Sequence, residues 1–400
     1  MPMAPEKPAD EAVPAFPSPP NKILRLILWG TYDTGKPRVR ILVRGLRESG
    51  VEVQECHVDV WSDVEDKSQL RGFMATLSRA WRWISAYPPL IGCLLRMPRH
   101  QTLLVPYLGH VDVLVLWPFA KMRGDRIVWD AFLSLYNTIV EDRRLLTHRN
   151  PAALGIYALE WLATRAVDRI VLDTSAHAEY FARRFRVSRT KLDSVFVGVE
   201  QDRFVSAPPL TPKRREEPLS ILFYGQFIPL HGIPTIIRAA RQIDDGTVSW
   251  TLIGSGQEEA TVRRLLAEQP IQHLTWIPWV AYDDLTDYIA AADVCLGIFG
   301  KSDKAALVIP NKVFQVISAG RPLVTRCSPA IAELVPNGTR GIYLVPPDEP
   351  AALVTALAAV RRDRSRLVGQ SLYQDLRPRI STGGIGKEFC AKFLDAAQSE

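Results

Sequence analysis

Apolar positions along the chain come in short runs separated by stretches of helical spacing. The run ILRLILWG (23–30) ends in a glycine, a polar Gly/Pro loop and a helix-like stretch (38–49) follow, and VEVQECHVDV (51–60) then alternates as a strand does. Strand, loop, helix, strand opens a parallel α/β unit. VDVLVLW (111–117), DRIVWD (125–130) and DRIVLD (168–173) are further expected strands. The proline and charge cluster APPLTPKRREEP (207–218) interrupts the pattern and is the expected linker. The alternation then restarts: strands at 220–225, 250–254, 273–280, 294–299 and 321–325, with helices at 233–243, 258–268, 284–292 and 312–319 between them. Two doubly wound α/β domains of similar size are predicted, 21–206 and 219–370, with a C-terminal helical segment, 371–400, returning to the first. Ligands bind beyond the carboxyl ends of parallel strands, so the chemistry is expected in a cleft between two facing sheets.

Composition changes this picture only locally. At 400 residues and 47% hydrophobic content the chain is long and apolar enough for real cores. The net charge of +6 is concentrated: between Asp66 and Asp112 there is no acidic residue, while Lys67, Arg71, Arg79, Arg82, Arg96 and Arg99 lie inside that interval. Such localisation argues against a protein that coats nucleic acid and asks what one basic surface is for. The five cysteines are widely spaced with no CxxC pair, which predicts that most are buried thiols in a reducing compartment, with neither a disulfide framework nor a zinc site. Residues 1–20 hold seven prolines and no apolar core, so they read as a disordered leader and not a secretory signal. The expected location is the cytoplasm, with contact to the inner face of the cell membrane.

Several signatures fall away. TGGIGKE (382–388) imitates a phosphate-binding loop, but Glu388 stands where Ser or Thr is needed, and GSGQEE (254–259) lacks the third glycine of a dinucleotide fingerprint. HExxH, GxSxG and a DxD-like pair after a strand are all missing from the sequence, so no metal site is expected.

Two stretches carry more weight. LFYGQFIPLHG (222–232) runs a strand into a glycine turn and then a helix, a geometry in which backbone N–H groups meet an anionic phosphate. LGIFGKSDKAALVIPNKVFQVISAGRPLVT (296–325) is a strand, a polar loop and a helix opening at Asn311–Lys312. With the PNKxxxxxxAGxP pattern (310–322), the LIGSGQ turn and SPAIAEL (328–334), the sequence resembles the retaining, nucleotide-sugar-dependent glycosyltransferases of family 4 (group 1), over most of 220–360. The resemblance implies the GT-B fold, with two Rossmann-like domains facing a central cleft. It implies a nucleoside-diphosphate-sugar as donor substrate, no cofactor and no metal, and donor contacts from Gly35, Gly225, Gln226, His231, Gly254, Asn311, Lys312, Gln315 and Glu333.

The sequence departs from the family pattern at informative places. The cations that hold the donor pyrophosphate are replaced by Gln226 and His231, which leaves Lys304 and Lys312 to stabilise the departing diphosphate. The second of the family's paired glutamates is Gln315 and the first falls at Leu307. Asp130, at the end of a strand, stands where relatives often carry His, and is read either as the residue that orients or deprotonates the acceptor hydroxyl or as a helix N-cap. Glu141, Asp142 and Arg143 read as a structural ion-pair network. Leu70, Phe73, Met74, Leu77, Trp81 and Ile84 follow helical spacing opposite Arg71, Arg79 and Arg82. With Trp83 they predict either a domain helix with solvated arginines or an interfacial helix that docks on anionic lipid beside the acceptor.

The expected function is a hexosyltransferase-like enzyme moving a sugar from the nucleotide donor to a hydroxyl of a glycan or lipid-linked acceptor, with hinge closure excluding water. A catalytically inactive GT-B relative serving as a nucleotide-sugar-binding scaffold, and a sugar-nucleotide epimerase, are the alternatives.

Overall fold

A computed structural model of the chain describes residues 24–61, 81–214 and 217–394. Residues 1–23 and the first part of the basic interval, with Lys67, Arg71, Arg79 and the expected helical positions Leu70, Phe73, Met74 and Leu77, lie outside the described residues. The first half runs β1 (Arg25–Gly30), α1 (Pro37–Glu48), β2 (Glu52–His57), α2 (Tyr87–Arg96), β3 (Thr102–Val105), α3 (His110–Arg123), β4 (Arg126–Phe132), α4 (Pro151–Ala166), β5 (Arg169–Leu172), α5 (Ser175–Phe185) and β6 (Leu192–Ser194). The second half runs β7 (Leu219–Tyr224), α6 (Ile233–Gln242), β8 (Val248–Ile253), α7 (Glu259–Glu268), β9 (Leu274–Ile277), α8 (Leu285–Ala291), β10 (Val294–Leu296), α9 (Asp303–Leu307) and α10 (Asn311–Ala319). It closes with β11 (Leu323–Arg326), α11 (Pro329–Leu334), β12 (Ile342–Val345), α12 (Pro350–Leu367), α13 (Arg377–Ile380) and α14 (Thr382–Phe389).

Each half is built on a six-stranded sheet, ordered β2-β1-β3-β4-β5-β6 in the first and β12-β11-β10-β7-β8-β9 in the second. All strand pairs are parallel. The order of strands reverses between β1 and β3 in one sheet and between β7 and β10 in the other, and these switch points are where a doubly wound sheet opens a crevice. The strands read as near-continuous apolar runs because helices cover both faces: Leu26, Leu28, Leu104 and Val128 face one core cluster, Ile27, Trp29, Leu103 and Ile127 another.

Two expectations are overturned. VDVLVLW (111–117) is not a strand but the body of α3, which ends at Gly124 in the left-handed conformation (φ 70°). A seven-residue apolar run fits a buried strand or a buried helix equally well, and here the strand that pairs with β1 is TLLV (102–105). The cysteines are also not all thiols: Cys56 at β2 and Cys93 on α2 form a disulfide, pinning α2 to the sheet, while Cys295 and Cys390 are buried thiols and Cys327 is exposed.

The chain crosses between the halves twice. The first crossing passes Ala207, whose N–H donates to Ala319 O (3.0 Å), and the second follows α12. Gly369 N–H donates to Leu210 O (3.1 Å) and Val199 N–H to Ile380 O (2.9 Å), after which α14 packs along α1. Among the described residues no helix is long and apolar enough to cross a membrane.

Candidate active site

At the second switch point, β7 ends in Gly225 and β8 is followed by Gly254, at φ 135° and 142°, conformations open to glycine. A Cβ on Gly254 would lie 2.0 Å from the Gly225 carbonyl oxygen, so the two turns press backbone against backbone. A Cβ on Gly225 would lie 3.0 Å from Lys312 Nζ and 3.2 Å from His231 Cε1, which makes these side chains the floor of the turn. Lys312 is the second residue of α10, only 4% exposed, with its ammonium 3.8 Å from the Phe223 ring centroid and no hydrogen-bond partner among the described residues. Burial pushes it well below the ordinary lysine range. Asn311, half-buried, opens the same helix.

His231 is buried, and its Nδ1 bonds the carbonyl of Gln226, which puts the proton on Nδ1 and leaves Nε2 as an acceptor. Burial first, then the charges of Lys312, Arg143 and Lys304, hold this imidazole neutral well below the usual histidine range. Three cations of both halves thus converge on one ring.

The first half reaches this turn through the segment 137–143. Arg143 donates to Gln226 Oε1 (3.4 Å), and Gln257 donates to the Arg143 carbonyl (2.8 Å). Lys304 Nζ donates to Thr138 Oγ1 (2.6 Å) and Ser302 Oγ to Asp142 Oδ1 (2.6 Å). Lys304 is pushed down to about 8 by burial, which Asp142 partly offsets. Asp142 Oδ2 and Glu258 Oε2 are buried atoms without partners, and Glu258 is raised by burial and then by Asp142. The expected structural knot at 141–143 is therefore split. Glu141 is structural, bonded by Asn137 (2.7 Å) and Tyr180 (2.8 Å), whereas Asp142 and Arg143 meet the second half.

Other expected site residues lie elsewhere. Asp130 is fully buried and held by Arg38 in a bidentate pair (2.8 and 3.0 Å) while Arg38 also donates to the carbonyls of Val195 and Phe196, so the carboxylate is a structural counter-ion and neither an acceptor base nor a helix cap. Glu333 does not face the turn: it accepts the N–H groups of Ser175 and Ala176 (both 2.8 Å), capping α5 from across the halves. Gln315 is enclosed between Tyr224, which donates to its Oε1 (2.9 Å), and Tyr282, which accepts from its Nε2 (3.2 Å). Gly35 lies in an exposed turn where Asp33 already takes its N–H (2.8 Å). Trp83 is half-buried and donates to Thr31 Oγ1 (2.8 Å), whereas Trp81 is 73% exposed and Arg82 is exposed and reaches the Asp59 carbonyl. Gly225, Gln226, His231, Gly254, Asn311, Lys312 and Lys304 are brought together. Thr138, Asp142, Arg143, Ser302 and Glu258 join them without any local motif to announce them.

Two parallel sheets with this site between them define the GT-B fold. Sucrose-phosphate synthase from Thermosynechococcus elongatus superposes with a TM-score of 0.64 at 16% identity, covering 94% of this chain and all of that one. Anabaena HepE in complex with UDP-glucose gives 0.62 at 14% identity, covering 94% and 100%. Residues 218–363, the half that carries the glycine turn and Lys312, match the family model described as glycosyl transferases group 1, and the chain as a whole has the GT-B fold. It is 23% identical over 100 residues to WcaI of Escherichia coli (strain K12), provisionally named a colanic acid biosynthesis glycosyl transferase, a match spanning 25% of this chain and 24% of that relative.

Proposed function

We propose that the protein transfers a sugar from a nucleoside-diphosphate-sugar to a hydroxyl of a glycan or lipid-linked acceptor, with retention at the anomeric carbon, in building a cell-surface polysaccharide or glycolipid at the inner face of the cell membrane. The observation that carries this reading is Lys312: a buried ammonium with no hydrogen-bond partner among the described residues, beneath a glycine turn at the switch point of the second sheet. An isolated buried cation is costly, and a diphosphate lying on the turn would supply its counter-charge. The leaving group gains charge as the glycosidic bond breaks, and in this reading Lys312, with Lys304 and Arg143, stabilises it without a metal ion. The Anabaena relative's complex with UDP-glucose supports a nucleotide-sugar as the donor.

Calorimetry with UDP-, GDP- and ADP-sugars, followed by product analysis on membrane extract, tests this. One donor class is expected to bind and to yield a product of unchanged anomeric configuration. If none binds and donor hydrolysis stays blank, the catalytic reading fails. The enclosure of Gln315 by two tyrosines, with Leu307 in the first glutamate's place, favours one second reading, a nucleotide-sugar-binding scaffold, which predicts binding without transfer.

A further inference from the structure

Helices α2, α3 and α4 lie side by side on the first sheet, with α3 packed against both neighbours. Their inner faces are ordinary core: Leu90 and Leu94, Val113 and Leu116, Ala153 and Ala163 are buried. Their outer faces are also apolar. Leu95 is 57% exposed, Trp117 45%, Met122 73%, Leu154 58%, Trp161 39% and Leu162 47%. Contiguous apolar surface on neighbouring elements marks an interaction face, where single exposed hydrophobics do not.

The charges on this face are predominantly positive. From residue 81 to residue 166 no Asp or Glu is exposed, while Arg96, Lys121 and Arg165 are among the exposed cations. The acidic residues of α3 and α4 are turned inward and engaged. Asp112 accepts from Thr31 N–H (2.8 Å) and Tyr87 O–H (2.8 Å), and Glu160 accepts from the N–H groups of Leu135 (2.8 Å) and Tyr136 (3.0 Å). Between α3 and α4 a crevice of about 110 Å³ is lined by Trp117, Lys121, Arg165 and Lys191. Two carboxylates also line it: Asp125 is buried and accepts from Arg123 (2.6 Å), while Asp168 is exposed and accepts the Ile127 N–H (2.8 Å). Arg165 lies 4.2 Å from the Trp161 ring centroid, a cation beside an aromatic ring at the rim.

We infer that the α2–α4 face rests on an anionic lipid bilayer, with Trp117 and Trp161 in the interfacial layer and Lys121 and Arg165 receiving lipid phosphate at the crevice. Apolar side chains that enter the headgroup boundary, rimmed mainly by cations, are what an anionic membrane surface selects. Through Glu160 this face is bonded to residues 134–136, which lead directly into the 137–143 segment on the cleft wall. A lipid-linked hydroxyl would therefore arrive from the membrane at the side of the cleft that holds Thr138 and Asp142. This last step rests on the proposed transferase reading; the docking does not.

Flotation of the full chain with neutral phosphatidylcholine vesicles and with vesicles containing phosphatidylglycerol tests the inference. The wild type is expected to float with the anionic vesicles only, and less at high salt. Lys121→Glu with Arg165→Glu should lower partitioning by at least about tenfold, and Trp117→Ser with Trp161→Ser should do so at every salt concentration. Nucleotide-sugar binding measured on the same proteins should be unchanged, which certifies their fold. A wild type that does not float, or that forms a dimer dissolved by the tryptophan substitutions, overturns the inference. If the wild type floats and both double variants float equally, membrane binding stands but this face does not. If flotation behaves as expected while no nucleotide-sugar binds, it is the transferase reading that fails.

Discussion

The two switch points of this molecule use one backbone device and reach opposite ends. In the first sheet β1 closes on Gly30 at φ 134°, and in the second β7 closes on Gly225 at φ 135°. In each, the space a Cβ would fill is taken by a charged side chain from the first turn of a later helix, Asp112 of α3 or Lys312 of α10. Asp112 is saturated, accepting from the Thr31 N–H and hydroxyl and from Tyr87, so the first half has placed its own carboxylate where a doubly wound sheet would receive an anion. Lys312 is unpaired. The difference teaches that the turn alone does not make a site; the sign and saturation of the group beneath it do.

Lys312→Met is the largest test of this contrast. Donor-dependent kcat/KM should fall by about 10²- to 10³-fold, the loss typical of removing one group that stabilises developing charge. The thermal midpoint should hold or rise, since a buried, unpartnered ammonium is replaced by a side chain of similar shape; unchanged kinetics would refute the assignment. Asp112→Ala should do the reverse. It strands the Thr31 N–H and the Tyr87 hydroxyl at a cost of about 2 to 4 kcal/mol in urea unfolding, with donor affinity intact.

A smaller effect concerns protons. Because burial holds Lys312 below its ordinary range and a diphosphate would raise it, donor binding should take up a proton between those two values. Affinity should then weaken by up to about tenfold per pH unit as pH rises there. Calorimetry in buffers of differing ionisation enthalpy measures the uptake, and zero uptake across the range contradicts the expectation. The least effect is predicted at Lys304, whose ammonium is lost as pH rises through about 8. The alkaline limb of kcat/KM should sit there, and Lys304→Arg should move it upward because guanidinium stays charged.

Much of the fold was legible because most strands are apolar runs closed by glycine or a polar loop. The exception, 111–117, failed for a physical reason: α3 is apolar toward the core and apolar toward the outside, so it lacks the polar stripe that marks a helix period. At the site, Gly225, Gly254 and Lys312 could be read because the strand, turn and helix opening that hold them are local. Asp130 was misread because its partner Arg38 is 92 positions away, and Glu333 because the helix it caps begins 158 positions earlier. Asp142 and Arg143 looked like an ordinary charged knot for the same reason, since Ser302 and Gln226 are distant in sequence.

The paired crossings between the halves carry a mechanical consequence. The two segments run side by side, joined where Gly369 meets Leu210, and the second is anchored by α14 along α1. Two adjacent tethers fix a line, so the halves keep one easy degree of freedom, rotation about that line, while sliding and twisting are resisted. Arg143 and Gln226, or Lys304 and Thr138, would therefore part and meet again along one arc, and their register would be restored after each opening without a search.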